Sequence, residues 1–113
     1  MDRWLCFEWT GSARDLGDQR DLPHTILPPS VVRDWLTKPD AMRSATCKTI
    51  DEAIDWLVEK VTLYAPHHVR GSQLDHELSL NAYSRHTLET GKDVVRSMWL
   101  TGSRALRLAI IKE

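Results

Sequence analysis

The sequence has no excess of either charge and no long apolar run, and each absence excludes a class of partner. Its 113 residues carry 15 Lys and Arg against 16 Asp and Glu. Proteins that bind nucleic acids or anionic lipids need a clear basic excess, because each phosphate contact takes its own Lys or Arg. No apolar run approaches the roughly 18 residues of a transmembrane helix. We therefore expect neither a nucleic acid nor a membrane as a partner.

Cysteines and cofactor motifs are also scarce. Cys6 and Cys47 are the only cysteines, which is too few for a disulfide framework, and their spacing matches no zinc motif. No glycine-rich phosphate loop is present, and the first residues lack the basic and apolar regions of a secretory signal. The sequence predicts a cytoplasmic protein with reduced thiols, no metal and no other cofactor.

The remaining composition is that of an ordinary globular chain. Hydrophobic residues make up 42% of the sequence and charged residues 27%, so residues 1–113 are expected to form a single domain with its own core. Alternating aromatic and apolar residues predict a strand over 3–9, with Leu5, Phe7 and Trp9 on one face and Trp4, Cys6 and Glu8 on the other. A long polar connection over 13–29 follows.

Two helices are predicted next in the chain. The Pro28-Pro29 pair before an apolar stripe predicts a short helix that ends at Pro39. The capping box of Thr49 and Glu52 opens a longer helix, whose apolar residues keep helical spacing as far as Ala65. Trp56 and Leu63 project away from the centre of that stripe, so we expect something other than the first core to cover them.

The C-terminal third of the chain predicts a β-hairpin. Two apolar segments, 94–101 and 104–112, flank Gly102-Ser103, and a two-residue link with glycine first indicates a type II′ turn. Counting outward from this turn pairs Trp99 with Leu106 on the core side. A further strand over 78–85 would complete a meander. The resulting order, β-α-α-β-β-β, predicts an α+β fold with an antiparallel sheet and two helices on one face.

The opposite side of this predicted hairpin mixes apolar and charged residues. It carries Met98 and Leu100 beside Arg96 and Arg107, and guanidinium groups among apolar residues are typical of an interface. An uncovered face of this kind predicts a homodimer or a face covered by a ligand. The alternative is a third layer supplied by the connection 13–29 of the same chain.

Tryptophan is abundant, with 5 residues in the chain. By face, Trp9, Trp35 and Trp99 are predicted to be core, whereas Trp4 and Trp56 are predicted to lie at the surface or in an interface. Packing of the last two under polar loops is the alternative. The candidate ligand-binding residues share aromatic, cationic, imidazole or thioether side chains outside the predicted first core. They are Trp4, Trp56, His67, His68, Arg70, Arg85, His86, Arg96, Met98 and Arg107.

Two classes of function remain open. In the first, the protein binds a peptide or another amphipathic ligand in an aromatic, Arg- and His-lined groove near a dimer interface. Whether such a binder is also an enzyme stays open; if it is one, we expect an accessory peptide-modifying enzyme that closes a cross-link of the lysinoalanine type by holding the reacting groups together. No catalytic residue is assigned. In the second, it is an immunity or inhibitor protein that binds a partner protein stoichiometrically.

Overall fold

A four-stranded antiparallel sheet organises the chain. The computed structural model describes residues 2–15, 28–29, 32–67 and 77–113. The strands, in chain order, are β1 (Trp4–Ser12), β2 (Arg43–Cys47), β3 (Val94–Leu100) and β4 (Arg104–Lys112), and the helices are α1 (Ile50–Tyr64) and α2 (Glu77–Glu89). The strand order is β2-β1-β4-β3, so β2 and β3 form the two edges. The predicted α+β class, antiparallel sheet and C-terminal hairpin are confirmed.

The start of α1 follows the predicted capping box with one change. The Glu52 amide donates to the Thr49 hydroxyl at 3.1 Å, as expected for an N-cap. The Glu52 carboxylate accepts from the Lys48 amide at 2.8 Å, one residue before the cap. The helix then turns its apolar stripe onto the sheet, where it buries Ala53, Ile54, Trp56, Leu57 and Val61. Leu63 is exposed, whereas Trp56 lies within the same core as the stripe.

Each face of the sheet carries its own apolar core. On the face that we call the helix face, the side chains of α1 and of Leu88 from α2 pack on Cys6, Met98, Leu106, Leu108 and Ile110. The other side, here called the outer face, is covered by a short 3₁₀ helix, Val32–Thr37, and by Met42.

On the outer face, Trp35 stacks on Phe7 of β1 with ring centroids 5.3 Å apart. Ala105, Ala109 and Ile111 of β4 are fully buried beside them. A third layer from the same chain therefore covers much of this face. Its described part comes from residues 32–42 and from the buried Pro28 and Pro29, the end of the predicted connection 13–29.

Two elements differ from the sequence prediction. The segment predicted as a strand over 78–85 belongs to α2, where Ser84 and Leu88, four residues apart, are the buried side chains among residues 82–89. The fourth strand is instead β2, which pairs with the first half of β1. Nothing in the pattern of β2 indicated a strand, because Cys47 is its only fully buried residue.

The register of the hairpin also differs, and this changes which side chains share a face. Thr101, Gly102 and Ser103 form a three-residue connection, with φ of 76° at Gly102 and 59° at Ser103. Met98 therefore pairs with Leu106, and Trp99 pairs with Ala105. A one-residue shift of register moves every side chain of one strand to the opposite face.

Two predictions about the hairpin are consequently wrong. Trp99, predicted to be core, lies on the outer face and is 53% exposed. Met98, predicted to share a mixed face with Arg107, is buried on the helix face beneath the helices.

Candidate functional site

The least covered part of the outer face lies along the edge strand β3. We define the outer-edge patch as Val32, Val95, Ser97, Trp99 and Arg107. Val95 is 39% exposed and Val32 is 38% exposed, and both line a cavity of about 260 Å³ with Ser97 and Arg107. The guanidinium carbon of Arg107 lies 5.8 Å from the centroid of the Trp99 ring, within the range of a cation–π contact. The patch thus combines an aromatic anchor, aliphatic side chains and a cation.

Hydrogen bonds hold the 3₁₀ helix at one side of this patch. Arg33 donates to the Asp93 carboxylate at 3.0 Å and to the Lys112 carbonyl at 3.0 Å. Asp93 also accepts from the Lys112 amide at 3.0 Å, so its negative charge is already compensated. Within the described ranges, no further strand pairs with the edge of β3 that faces away from β4. The backbone groups of an edge strand are a template for pairing with another chain.

A second site, the Tyr64 pocket, lies on the helix face where the hairpin turns. This cavity of about 320 Å³ is lined by Thr10, Tyr64, His67, Leu100, Thr101 and Arg104. Tyr64 is the last residue of α1, and a 3₁₀ turn that ends at His67 follows it. The Thr101 amide donates to the His67 carbonyl at 2.8 Å, which joins the end of this turn to the hairpin.

A network of polar side chains adjoins the Tyr64 pocket. The Tyr64 hydroxyl donates to Glu8 Oε2 at 2.5 Å, and Lys60 Nζ lies 3.0 Å from Glu8 Oε1. Burial, followed by the hydrogen bond to Glu8, raises the pKa of Tyr64 to about 12, although Thr10 and Arg104 act in the opposite direction. Tyr64 is therefore a neutral hydroxyl at neutral pH, and both oxygens of Glu8 have partners.

The tryptophans predicted at the surface are buried. Trp4 is 8% exposed and Trp56 is 7% exposed, and both belong to the core of the helix face. Trp56 Nε1 donates to the Ser44 hydroxyl at 3.0 Å, while Trp4 Nε1 has no acceptor among the described residues. The surface prediction fails because β2, which was not predicted, extends the sheet beneath α1.

The two thiols also meet in this core. Cys6 Sγ lies 3.8 Å from Cys47 Sγ, and burial raises the pKa of both groups. The thiols are thus protonated at neutral pH, which makes them poor nucleophiles.

The other predicted site residues are spread over the molecule. His67 lines the Tyr64 pocket, and Arg107 belongs to the outer-edge patch. Arg96 is partly buried in a separate groove between β3 and α2. Arg85 forms an ion pair with Asp51, and His86 is exposed on α2. His68 and Arg70 lie outside the described residues.

Sequence reasoning missed most of the Tyr64 pocket and its network. Glu8, Lys60, Tyr64 and Arg104 were not among the candidate ligand-binding residues. One signal was available: Glu8 shares its face of β1 with Trp4 and Cys6, so an acidic side chain was expected on a strand face that is otherwise apolar. A carboxylate at such a position needs a partner.

Comparison with known proteins leaves the function open. The chain matches no protein-family model, no curated protein and no solved structure. Over the described ranges, no group of three or more His, Cys, Asp or Glu side chains is arranged to hold a metal ion. None of the helices in the same ranges is long and apolar enough to cross a membrane.

Proposed function

We propose that the protein binds an extended peptide segment of a partner. This segment pairs as an additional strand with the edge of β3 that faces away from β4. One observation carries this proposal: β3 presents the exposed side chains of Trp99 and Val95, and its backbone edge opposite β4 pairs with no strand among the described residues. In strand addition, main-chain hydrogen bonds supply affinity, and contacts with alternate side chains supply specificity.

The side chains of the outer-edge patch suit such a ligand. Residues of an added strand that face outward would lie beside Val95, Ser97 and Trp99, which alternate along β3. Exposed aromatic residues at the centre of an interface commonly contribute a large share of the binding energy. Trp99, with Arg107 over its ring, is the aromatic anchor of this patch.

The charges favour a peptide with acidic residues over a second copy of the chain. Ser97 lies at the middle of β3 and pairs with Arg107, and Arg96 is its neighbour along the strand. Arg96 lies on the helix face and Arg107 on the outer face, so both faces of this edge carry a cation. Symmetric antiparallel pairing of two copies about Ser97 would place the two Arg107 side chains on one face and the two Arg96 side chains diagonally across the new strand pair, and like charges so placed do not favour association. Carboxylates on an added strand would instead bring opposite charge to both faces.

Selection from a library of random linear peptides tests this proposal. We expect the wild-type protein to enrich peptides that alternate apolar and acidic residues. Trp99→Ser should weaken their binding by about tenfold or more, because it removes the aromatic anchor. Leu63→Ser is the matched control, since Leu63 is an exposed hydrophobic residue on α1, 59% accessible, away from the patch. It should bind the selected peptides as the wild type does.

Two results would contradict the proposal. The first is enriched peptides that bind Trp99→Ser as tightly as wild type. The second is a dimer in solution, by light scattering, that Trp99→Ser dissociates, because the homodimer predicted from the sequence would then occupy the patch.

The same peptides separate the two functional classes. For a stoichiometric inhibitor or immunity protein, we expect a one-to-one complex in which the peptide stays unchanged. For a peptide cross-linking enzyme, we expect catalytic amounts of protein to convert a linear peptide that carries lysine and dehydroalanine into its cyclic isomer, detected by its chromatographic shift at unchanged mass. The exposed anchor supports binding in both classes.

A further inference from the structure

We propose that the Tyr64 pocket is a second binding site and that it holds the carboxylate group of a small amphipathic ligand. The pocket opens on the helix face, whereas the outer-edge patch lies across the sheet from it. The inference therefore goes beyond the peptide-binding proposal and is independent of it.

The charge balance of the pocket favours an anion. Its nearest carboxylate, Glu8, is already bonded to the Lys60 ammonium and the Tyr64 hydroxyl. Arg104 lines the cavity and, among the described residues, forms no ion pair with a carboxylate. A guanidinium group binds a carboxylate through two parallel hydrogen bonds, which point charges such as ammonium groups do not provide.

The other lining groups determine what kind of carboxylate fits. The polar residues Thr101 and His67 line the cavity with Arg104, and the leucine Leu100 adds an apolar residue to its lining. A cavity of about 320 Å³ is at the small end of ligand sites. An aliphatic carboxylate of a few carbon atoms, or the C-terminal residue of a peptide, matches this size and this mixture of polar and apolar surface.

The fixed position of Tyr64 provides a rigid wall for the ligand. Its hydroxyl donates to Glu8, and Thr10 lies beside it in the lining of the same cavity. The Thr101 amide is likewise held by the His67 carbonyl. Because these groups are ordered before a ligand arrives, binding does not have to pay for ordering them.

Nuclear magnetic resonance titration of the full chain tests the site. The probes are propionate, N-acetyl-leucyl-alanine with a free carboxylate, and the same dipeptide as its C-terminal amide. We expect both carboxylates to shift the Thr101 amide resonance with dissociation constants in the millimolar range, and the amide to bind about tenfold more weakly or not at all. The Trp99 indole resonance, which reports on the outer-edge patch, should not move.

Two variants test the role of Arg104, and a comparison of the two carboxylates distinguishes a peptide C-terminus from a free small carboxylate. Arg104→Gln should weaken carboxylate binding by about tenfold, because it removes the paired hydrogen bonds, while Arg43→Gln, an exposed arginine on the other edge strand, should leave binding unchanged. Tighter binding of the dipeptide than of propionate would indicate a peptide C-terminus, and equal binding a free small carboxylate. Any of three results would overturn the proposal. These are no shift of the Thr101 amide resonance with either carboxylate up to about 50 mM, equal shifts with the dipeptide amide, or unaltered carboxylate binding by a folded Arg104→Gln variant.

Discussion

The two faces of the sheet are covered to different extents, and the difference lies in how far each covering layer reaches. On the helix face, α1 and α2 extend to the edge strand, so Val94, Met98 and Leu100 of β3 are all buried. On the outer face, the described cluster of buried side chains includes residues of β1 and β4 but none of β3, and Val95 and Trp99 are exposed. One strand thus has a stabilising side and a side available for binding.

The helix face also changes along its length, because its polar side chains lie toward the hairpin end. Within the helix face, the side chains of β1 change from the apolar Trp4 and Cys6 to Glu8 and Thr10, which adjoin the Tyr64 pocket at the hairpin end. Both carboxylate oxygens of Glu8 have partners there, because Lys60 and Tyr64 bind it. The two faces therefore carry different chemistry: the proposed anion site on one side and an aromatic patch on the other.

The largest expected effect is a difference in stability between substitutions of two neighbouring residues on opposite faces. Met98→Ala should lower the free energy of unfolding by about 3 kcal/mol, because it leaves a cavity in the helix-face core. Trp99→Ala should lower it by about 1 kcal/mol or less, because the ring is half exposed and contributes chiefly its contact with Arg107. Urea unfolding followed by circular dichroism measures both values.

Leu106→Ala provides the matched control, since Leu106 pairs with Met98 and is fully buried on the same face. It should destabilise the protein as strongly as Met98→Ala does. A larger loss from Trp99→Ala than from Met98→Ala would mean that the predicted two-residue register is correct after all and that the two faces are exchanged along β3.

The sequence was sufficient for the features that depend on local pattern. The capping box at Thr49 and the helical spacing after it predicted α1 to within a residue at its C-terminal end. The class of fold followed from the order of these elements. The pattern failed at the segment 78–85, where leucines alternate as in a strand, although the buried Ser84 and Leu88 have helical spacing.

Features that depend on pairing between distant segments were not accessible in this way. The outer-edge patch was misassigned because the turn was counted as two residues, and that error alone exchanged Met98 and Trp99. The Tyr64 pocket joins β1, the end of α1 and the hairpin, which are far apart in sequence. Only the tertiary fold brings Glu8 to Tyr64, 56 residues away.

A smaller effect is expected at the polar end of the helix face. Tyr64→Phe should cost about 1 kcal/mol at neutral pH, because it removes the hydrogen bond to Glu8. The pKa of Tyr64 is raised in the folded state to about 12, against about 10 in an unfolded chain. Its contribution to stability is therefore complete below about pH 10 and is lost as the pH rises toward 12.

Urea unfolding at pH 8 and at pH 11 measures this dependence. The difference in stability between wild type and Tyr64→Phe should be smaller at the higher pH. Tyr83→Phe is the control, since Tyr83 is 70% exposed on α2, and its difference from wild type should be the same at both values. A Tyr64→Phe difference that does not change with pH would show that burial and Glu8 do not raise the pKa of Tyr64 in solution.

The smallest expected effect comes from substitutions in the hairpin turn, whose length determines which side chains of β3 lie on each face. Ser103 has a φ of 59°, a conformation that costs a residue with a side chain about 1 kcal/mol. Ser103→Gly removes that cost but adds freedom to the unfolded chain, so we expect a net stabilisation of about 0.5 kcal/mol. Ser103→Val should instead destabilise the protein by about 1 kcal/mol, because a β-branched side chain resists this conformation.

The opposite order of stability in thermal unfolding would favour a two-residue type II′ turn, in which the second residue has a negative φ and valine is tolerated. This pair of variants therefore tests the register on which both proposed sites depend, without altering either site.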